Sequence, residues 1–207
     1  MTIKAGDKIP SATLMEMQDG KPTPVSTDTF FAGKKVALFA LPGAFTPTCS
    51  AKHVPGFVNN YDALKSKGVD EIACVSVNDA FVMGAWGKDQ KADGKVHMFA
   101  DGNGDFTRAL GLEFDASKFG MGKRSQRYSM IVDNGVVTSI NVEEPGAFDV
   151  SSASLIVLSE TCETSTSMPR RFISRTTSLP KSLRPLCFFS PRPASAQSLV
   201  LFHVSVM

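Results

Sequence analysis

The order of apolar and polar positions along the chain predicts short buried strands that alternate with helices. Residues 34–41 begin with two lysines and continue as an uninterrupted apolar run. Residues 72–77 and 96–100 are further short, mainly apolar runs. Apolar runs of this length are typical of strands that are covered on both faces. Between the last two runs, residues 80–91 carry apolar side chains at helical spacing. The first part of the chain therefore predicts strands connected by helices.

A hairpin closes this predicted fold. Residues 128–132 and 136–140 are apolar runs that flank Asn134 and Gly135, and Asn-Gly between two such runs is the strongest short-range hairpin signal. Strands that alternate with helices and end in a hairpin predict the α/β class, with a mixed central sheet flanked by helices. We expect the core of this domain to be complete by about residue 153.

The amino-acid composition changes after residue 153. Residues 154–207 contain no glycine, eleven serines and five prolines, with six basic and two acidic side chains. Such a Ser/Arg/Pro-rich sequence predicts little packed structure apart from a short helix near residues 155–158. We expect one domain over residues 1–153 and a poorly ordered C-terminal tail over residues 154–207.

Composition and charge exclude several classes of function. The chain has 207 residues, 43% of them hydrophobic, and a formal net charge of +2, which predicts neither a nucleic-acid nor a membrane partner. No apolar run approaches the roughly 20 residues that span a bilayer, and residues 1–7 lack the apolar core of a signal peptide. Four cysteines without a C-x-x-C pair favour a reducing compartment, and we expect the cytoplasm.

The chemistry that the residues suggest is concentrated at Cys49. Residues 42–48 read PGAFTPT, a loop that leads from the strand predicted at 34–41 into a helix, with Cys49 in its first turn. Unpaired backbone N–H groups and the positive end of the helix dipole favour the thiolate, which is the nucleophilic form. Local features alone leave the alternative of an inert buried cysteine that packs as a small hydrophobe.

The wider segment resembles the active-site signature of the peroxiredoxins. Residues 42–57 read PGAFTPTCSAKHVPGF, and Pro42, Thr46 and Cys49 match the family's P-x-x-x-T-x-x-C pattern residue by residue. The sequence of this segment is similar to that of the type II, peroxiredoxin-5-like branch. Further matches follow in order at residues 75–87, 100–102 and 124–128. Relatives finish with a short amphipathic helix soon after position 153, which we expect the unrelated tail to replace.

This resemblance implies a thioredoxin-like fold and a thiol peroxidase that reduces hydrogen peroxide and alkyl hydroperoxides. Cys49 would attack the O–O bond and become a sulfenic acid, with Thr46 and Pro42 around it. The resemblance also implies a homodimer, no cofactor, and regeneration by glutaredoxin with glutathione or by thioredoxin.

The family's arginine aligns with Arg127, and Arg124 is the alternative. The implied role is to hold the thiolate ionised and to polarise the peroxide oxygens. Three residues is an odd offset on a strand, so the two side chains should face opposite sides of the sheet. Only one of them could then reach Cys49, and we predict Arg127.

A second cysteine could resolve the sulfenic acid. Some relatives carry a resolving cysteine in the stretch that matches residues 146–151, where this sequence has none, and others carry it where Cys74 stands. Because Cys74 lies in the apolar run 72–77, an inert core cysteine is an equal alternative, and an external thiol would then attack Cys49 directly. Nothing in the sequence positions Cys162 or Cys187, which lie in the tail.

Other residues in the chain suggest alternative roles and functions. Cys49 and His53 at i and i+4 form only a weak metal pair, and we expect His53 to form local hydrogen bonds. Trp86, with Phe81 and Met83, would cover the pocket edge or a subunit contact, or else pack in the core. The functional alternatives are a redox switch in which oxidised Cys49 signals to a partner, and a disulfide reductase, which lacks its C-x-x-C motif here.

Overall fold

The computed structural model describes residues 1–159, whose nine strands form two sheets. The strands are β1 (Thr13–Gln18), β2 (Lys21–Ser26), β3 (Lys35–Ala40), β4 (Glu71–Ser76), β5 (His97–Ala100), β6 (Glu113–Asp115), β7 (Lys123–Ser125), β8 (Tyr128–Asp133) and β9 (Val136–Val142). The main sheet has the order β2-β1-β5-β4-β3-β8-β9, and β6 pairs only with β7. Within the main sheet β3, β4 and β5 run parallel, whereas the remaining neighbours are antiparallel. The predicted mixed sheet is therefore confirmed.

Short helices connect the strands. They are α1 (Thr27–Phe30), a π-helical turn (Cys49–His53), α2 (Val54–Asn59), α3 (Tyr61–Ser66), α4 (Ala80–Asp89), α5 (Asp105–Leu110), a 3-10 turn (Ser117–Phe119) and α6 (Ala153–Ser159). No helix among residues 1–159 has the length and apolar character needed to cross a membrane.

The alternation of side chains along the central strands divides the core into two layers. On β3, Phe39 faces one side and Leu38 the other, because successive residues of a strand point to opposite faces. The Phe39 side carries Cys74 of β4 and is covered by the π-helical turn and by α2, α3, α4 and α6. The Leu38 side packs on α1 and α5. Helices thus flank the sheet on both faces, and the two described cysteines share one layer.

Both hairpins of the main sheet turn at residues with positive φ. Asn134 and Gly135 have φ values of 46° and 77°, as the Asn-Gly turn requires, which confirms the predicted β8–β9 hairpin. Asp19 and Gly20 make a corresponding turn between β1 and β2, with φ values of 50° and 78°. This first hairpin was not predicted, although Asp-Gly is an equivalent signal.

The packed region continues a few residues past the boundary expected at 153. Helix α6 carries Ala153 and Ile156, both 2% exposed, into the core layer that contains Cys49. A short helix was expected near residues 155–158, and α6 occupies this position. The rest of the predicted tail, from residue 160 onwards, lies outside the described residues.

Candidate active site

Cys49 is the first residue of the π-helical turn and is 0% exposed. Two hydrogen bonds hold the next residue, Ser50. Its backbone N–H donates to the Thr46 carbonyl at 3.0 Å, and its hydroxyl accepts from the Trp86 indole at 3.0 Å. The start of the turn is therefore anchored to the preceding loop and to α4.

The loop before Cys49 is shaped by a left-handed residue and by an amide from the neighbouring strand connection. Phe45 has φ of 58°, a conformation that costs a non-glycine residue free energy and that the surrounding contacts must maintain. The Asn78 side-chain oxygen accepts from the backbone N–H of Ala44 at 3.0 Å. The Thr46 hydroxyl donates to the Gly43 carbonyl at 2.9 Å. Pro42 and Thr46 are half-buried beside this turn.

Arg127 immediately precedes β8, the strand that pairs with β3, and its side chain reaches the sulfur. Its Nη2 lies 3.4 Å from Cys49 Sγ, and its Nη1 lies 3.0 Å from His53 Nδ1. The guanidinium carbon is 5.7 Å from the centre of the Phe148 ring, within the range of a cation–π contact. A guanidinium in this position stabilises negative charge on the sulfur through a charge-assisted hydrogen bond.

His53 is buried, and both of its ring nitrogens are engaged. Because a guanidinium has no acceptor, Nδ1 must accept from Arg127, and Nε2–H then donates to the Ser151 carbonyl at 3.2 Å. Burial and the charge of Arg127 lower the pKa of His53 to about 3, so the ring is neutral near pH 7. We expected local hydrogen bonds, but both partners of His53 lie far away in sequence, 74 and 98 positions from it. Among residues 1–159 no three His, Cys, Asp or Glu side chains are grouped to hold a metal ion.

The structure separates Arg124 from Arg127. Arg124 donates from Nε to the Met121 carbonyl at 2.8 Å and from Nη1 to the Val77 carbonyl at 2.7 Å. It lies on β7, whereas Arg127 immediately precedes β8. The two arginines thus do not share a strand, so the prediction that an odd offset on one strand would place them on opposite faces was wrong. Arg127 contacts the sulfur, whereas Arg124 donates hydrogen bonds to backbone carbonyls instead.

Cys74 lies in the middle of the sheet and in the same core layer as Cys49. It is paired with Phe39 of β3 and Met98 of β5, and its side chain is fully buried. Burial, with a smaller contribution from Cys49, raises the pKa of the Cys74 thiol well above its usual value. In this conformation Cys74 is a poor nucleophile, because the thiolate is the attacking species.

Sequence reasoning missed several residues that shape the site. Glu143, Ser151 and Phe148 come from the segment after β9 and surround His53 and Arg127. No local motif marks Ser151, whose partner His53 lies 98 positions away in sequence, or Glu143, which bonds to an irregular segment six to eight residues further on. Trp86 and Met83 pack in the core rather than at a surface, since both side chains are 0% exposed.

The assembled residues suit attack by sulfur on a small electrophile. A cysteine at the start of a helical turn faces a cation whose orientation is set by a neutral histidine. Such a fixed cation stabilises charge that develops during the reaction without reorganising.

Comparison with known proteins shows which family this sequence belongs to. The Redoxin family model matches residues 4–155. Peroxiredoxin-2E, chloroplastic, of Arabidopsis thaliana is 53% identical over 156 residues, which cover 73% of this chain and 67% of the relative.

Solved structures agree with the sequence comparison. Reduced Prx3 of Vibrio vulnificus in complex with H2O2 is 54% identical, with a TM-score of 0.74, over 77% of this chain and 99% of that chain. Peroxiredoxin 5 of Alvinella pompejana is 38% identical, with a TM-score of 0.69, over 78% of this chain and 99% of that chain. The chain therefore belongs to the Redoxin family, among the peroxiredoxin-type thiol peroxidases of the type II, peroxiredoxin-5-like branch, with their thioredoxin-like fold.

Proposed function

We propose that this protein reduces hydrogen peroxide and alkyl hydroperoxides through Cys49, with Arg127, Thr46 and Pro42 around the reacting sulfur. The observation that carries the proposal is the 3.4 Å contact between Arg127 Nη2 and Cys49 Sγ. A fixed guanidinium at this distance stabilises negative charge on the thiolate and on the oxygens of a bound peroxide. The similarity to a Prx3 solved with H2O2 supports the same class of substrate.

In the first step the Cys49 thiolate attacks one peroxide oxygen and the O–O bond breaks. An S–O bond forms and the sulfur is oxidised to a sulfenic acid, while the other oxygen takes up a proton and leaves as water or an alcohol. Thr46 already donates its hydroxyl proton to Gly43, so its oxygen keeps lone pairs that can accept from the peroxide O–H. Pro42 restricts the access of water.

The second step returns Cys49 to the thiol. An external thiol condenses with the sulfenic acid to a mixed disulfide and releases water, and a further thiol reduces that disulfide. The complete burial of Cys74 on β4 supports this route over an internal disulfide. An internal disulfide needs the two Cα atoms within about 7 Å of each other and the Cys74 thiol deprotonated, and the burial that raises the pKa of Cys74 opposes the second requirement.

The test is peroxide consumption with glutaredoxin and glutathione and, separately, with thioredoxin. Cys49→Ser should abolish turnover, and Cys74→Ser should retain it with at least one of these reductants. Cys187→Ser is the matched control, because it removes a cysteine outside the family resemblance. Loss of turnover in both Cys49→Ser and Cys74→Ser would instead identify Cys74 as the resolving residue. A folded wild type that consumes no peroxide contradicts the proposal and favours the redox switch.

A homodimer is the assembly that we propose for this chain. Phe45 and Phe81 are 55% and 64% exposed, and the Phe45 ring lies 6.2 Å from Trp86 of the helix that carries Phe81. Large apolar side chains exposed around one helix are typical of a subunit contact. We expect Phe81→Glu to shift wild-type dimer to monomer in sedimentation equilibrium, with Lys88→Glu on the same helix as control. A monomeric wild type would rule the dimer out.

For the compartment we propose a reducing one, with the cytoplasm as the first expectation. The chloroplastic name of the Arabidopsis relative makes a plastid the alternative. Imaging of the tagged full chain in its own host cells distinguishes the two.

A further inference from the structure

We propose that Glu143 is a positioning residue for the peroxide reaction, because it fixes residues 149–151 so that Ser151 orients His53 and His53 aims Arg127 at Cys49. The inference rests on the proposed function of Cys49 and deepens it. It assigns a role to a side chain that has no contact with the reacting sulfur.

Glu143 follows β9 and is only 7% exposed. One of its carboxylate oxygens, Oε1, accepts the backbone N–H groups of Asp149, Val150 and Ser151 at 2.8, 2.8 and 2.7 Å. The same oxygen accepts the Ser151 hydroxyl at 2.7 Å. Three consecutive N–H groups that converge on one charged oxygen fix the backbone of the segment, since charge-assisted hydrogen bonds are stronger than neutral ones.

The protonation state of Glu143 is consistent with this role. Burial acts to raise the pKa of Glu143, but the hydrogen bonds from Asp149, Ser151 and Val150 together outweigh it and hold that pKa below its ordinary value. Glu143 is therefore a carboxylate, and an acceptor only, throughout the neutral range.

The fixed segment acts on Arg127 through His53. The Ser151 carbonyl can only accept, so it holds the proton on His53 Nε2 and leaves Nδ1 as an acceptor for Arg127 Nη1. With Nη1 directed to His53, the other terminal nitrogen of the guanidinium faces Cys49 Sγ. A continuous path of four contacts thus joins the Glu143 carboxylate to the sulfur.

Two further contacts tie the same segment to Arg127. The backbone N–H of Glu143 donates to the Arg127 carbonyl at 2.9 Å. The Phe148 ring lies 5.1 Å from the His53 ring and 5.7 Å from the Arg127 guanidinium carbon. The segment from 143 to 151 therefore contacts the arginine at its backbone, at its guanidinium group and through its histidine partner.

The experiment compares Glu143→Ala and Glu143→Gln with Glu144→Gln, a matched control at the exposed neighbouring carboxylate. The readout is the second-order rate constant with H2O2, followed in a stopped-flow instrument by fluorescence of Trp86, the one tryptophan of the chain. Misaligned charge stabilisation should slow Glu143→Ala by about tenfold or more. Glu143→Gln should be slowed less, because its amide oxygen still accepts, and Glu144→Gln should match wild type.

A double-mutant cycle with His53→Leu separates positioning from a merely structural role. If Glu143 acts through His53, Glu143→Ala should slow the reaction little further in the His53→Leu background. The ¹⁵N resonances of the His53 ring give a second signature. Wild type should show the neutral Nε2–H tautomer, and Glu143→Ala should show a mixture of tautomers.

A folded Glu143→Ala protein with the wild-type rate constant, or losses that add fully to those of His53→Leu, would overturn the positioning role. If Glu143→Ala does not fold, Glu143→Gln and Ser151→Ala decide. Both should slow the reaction severalfold and alter the His53 resonances, and an unchanged rate in both overturns the inference. A wild type that does not react through Cys49 overturns the proposed function instead, so the two failures are distinguishable.

Discussion

At the scale of single residues, Arg127 contacts the sulfur, a histidine and an aromatic ring with one guanidinium group. One guanidinium nitrogen faces Cys49, a second contacts His53, and the guanidinium carbon lies over the Phe148 ring. A lysine ammonium is a compact point charge on a flexible stem without a rigid planar fork, so it would not hold its donors to the sulfur and the histidine in the same fixed geometry. We therefore expect the orientation of the charge to matter for the reaction as well as its presence.

We expect Arg127→Lys to lower the rate constant with H2O2 by about a hundredfold, the usual cost of one misplaced charge-stabilising donor. Stopped-flow Trp86 fluorescence measures this rate. Arg108→Lys, a change at an exposed arginine of α5, is the matched control and should react like wild type. A rate within twofold of wild type in Arg127→Lys would show that orientation of the charge is unimportant.

His97 forms a second charged cluster, away from the sulfur, between Glu16 at 2.8 Å and Glu71 at 3.5 Å. The hydrogen bond with Glu16 and the charges of both carboxylates outweigh burial and raise the pKa of His97 above its ordinary value. A folded-state pKa above the unfolded value means that the native protein retains this proton at higher pH. The resulting stability is fully present below about pH 6.5 and is lost as pH rises through the raised pKa.

We therefore expect the free energy of unfolding, measured by urea denaturation, to fall between about pH 6.5 and the raised pKa of His97. The fall should be below about 1 kcal/mol, because the ring is 36% exposed and water screens the cluster. His97→Gln keeps a polar side chain without a titrating ring and should remove this part of the profile. Parallel profiles for wild type and variant would show that His97 does not contribute.

At the scale of elements, helix α4 packs so closely on β1 that a glycine is required at their contact. A Cβ added to Gly84 would lie 2.5 and 2.8 Å from Met17 Cγ and Cβ, whereas a Cβ on Gly56 in α2 meets nothing within 4 Å. Both glycines lie in helices, so alanine should gain up to about 1 kcal/mol of helix propensity at either position. Only at Gly84 must the neighbouring side chain also move.

We expect the two alanine substitutions to have opposite effects on stability. Gly84→Ala should lower the free energy of unfolding by about 1–3 kcal/mol through overpacking, and Gly56→Ala should raise it by up to about 1 kcal/mol. Urea denaturation of the two variants beside wild type measures both signs. Equal stabilisation by both would mean that Met17 yields without cost.

The elements that the sequence predicted well are those with a strong local signal. Residues 34–41 and 72–77 gave β3 and β4 to within a residue or two, because uninterrupted apolar runs are typical of central strands. Strand β2 was missed since it carries Pro22 and Pro24, which are tolerated at an edge but weaken the pattern. Strands β6 and β7 have three residues each, too few for a periodic signal.

At the scale of the whole molecule, the candidate site joins segments that only the fold brings together. Pro42, Thr46 and Cys49 lie in one continuous motif, and the sequence predicted them as a group. Arg127 came from the family resemblance, because 78 positions separate it from Cys49. The contribution of Glu143 depends on a loop that folds back onto His53, an arrangement that no local pattern encodes.

The same fold makes the end of the described region part of the site's support. Helix α6 follows Ser151 directly and places Ala153 and Ile156 in the core layer of Cys49. The hydrogen bonds that join Cys49, His53, Arg127 and Ser151 involve no residue beyond Ser151. Whether the chain stops before or after α6 should therefore matter for stability more than for the identity of the reacting groups.

We expect a chain that ends at Ser159 to react with H2O2 and to turn over with glutaredoxin as the full chain does, although Cys162 and Cys187 are gone. A chain that ends at Ser152 should lose about 2–5 kcal/mol in urea denaturation, as when buried apolar side chains are deleted. Its rate constant should also fall, because Ser151 loses the helix that follows it. Slow turnover by the chain ending at Ser159, with an unchanged first reaction with peroxide, would contradict this expectation. That result would mean that a tail cysteine resolves the sulfenic acid.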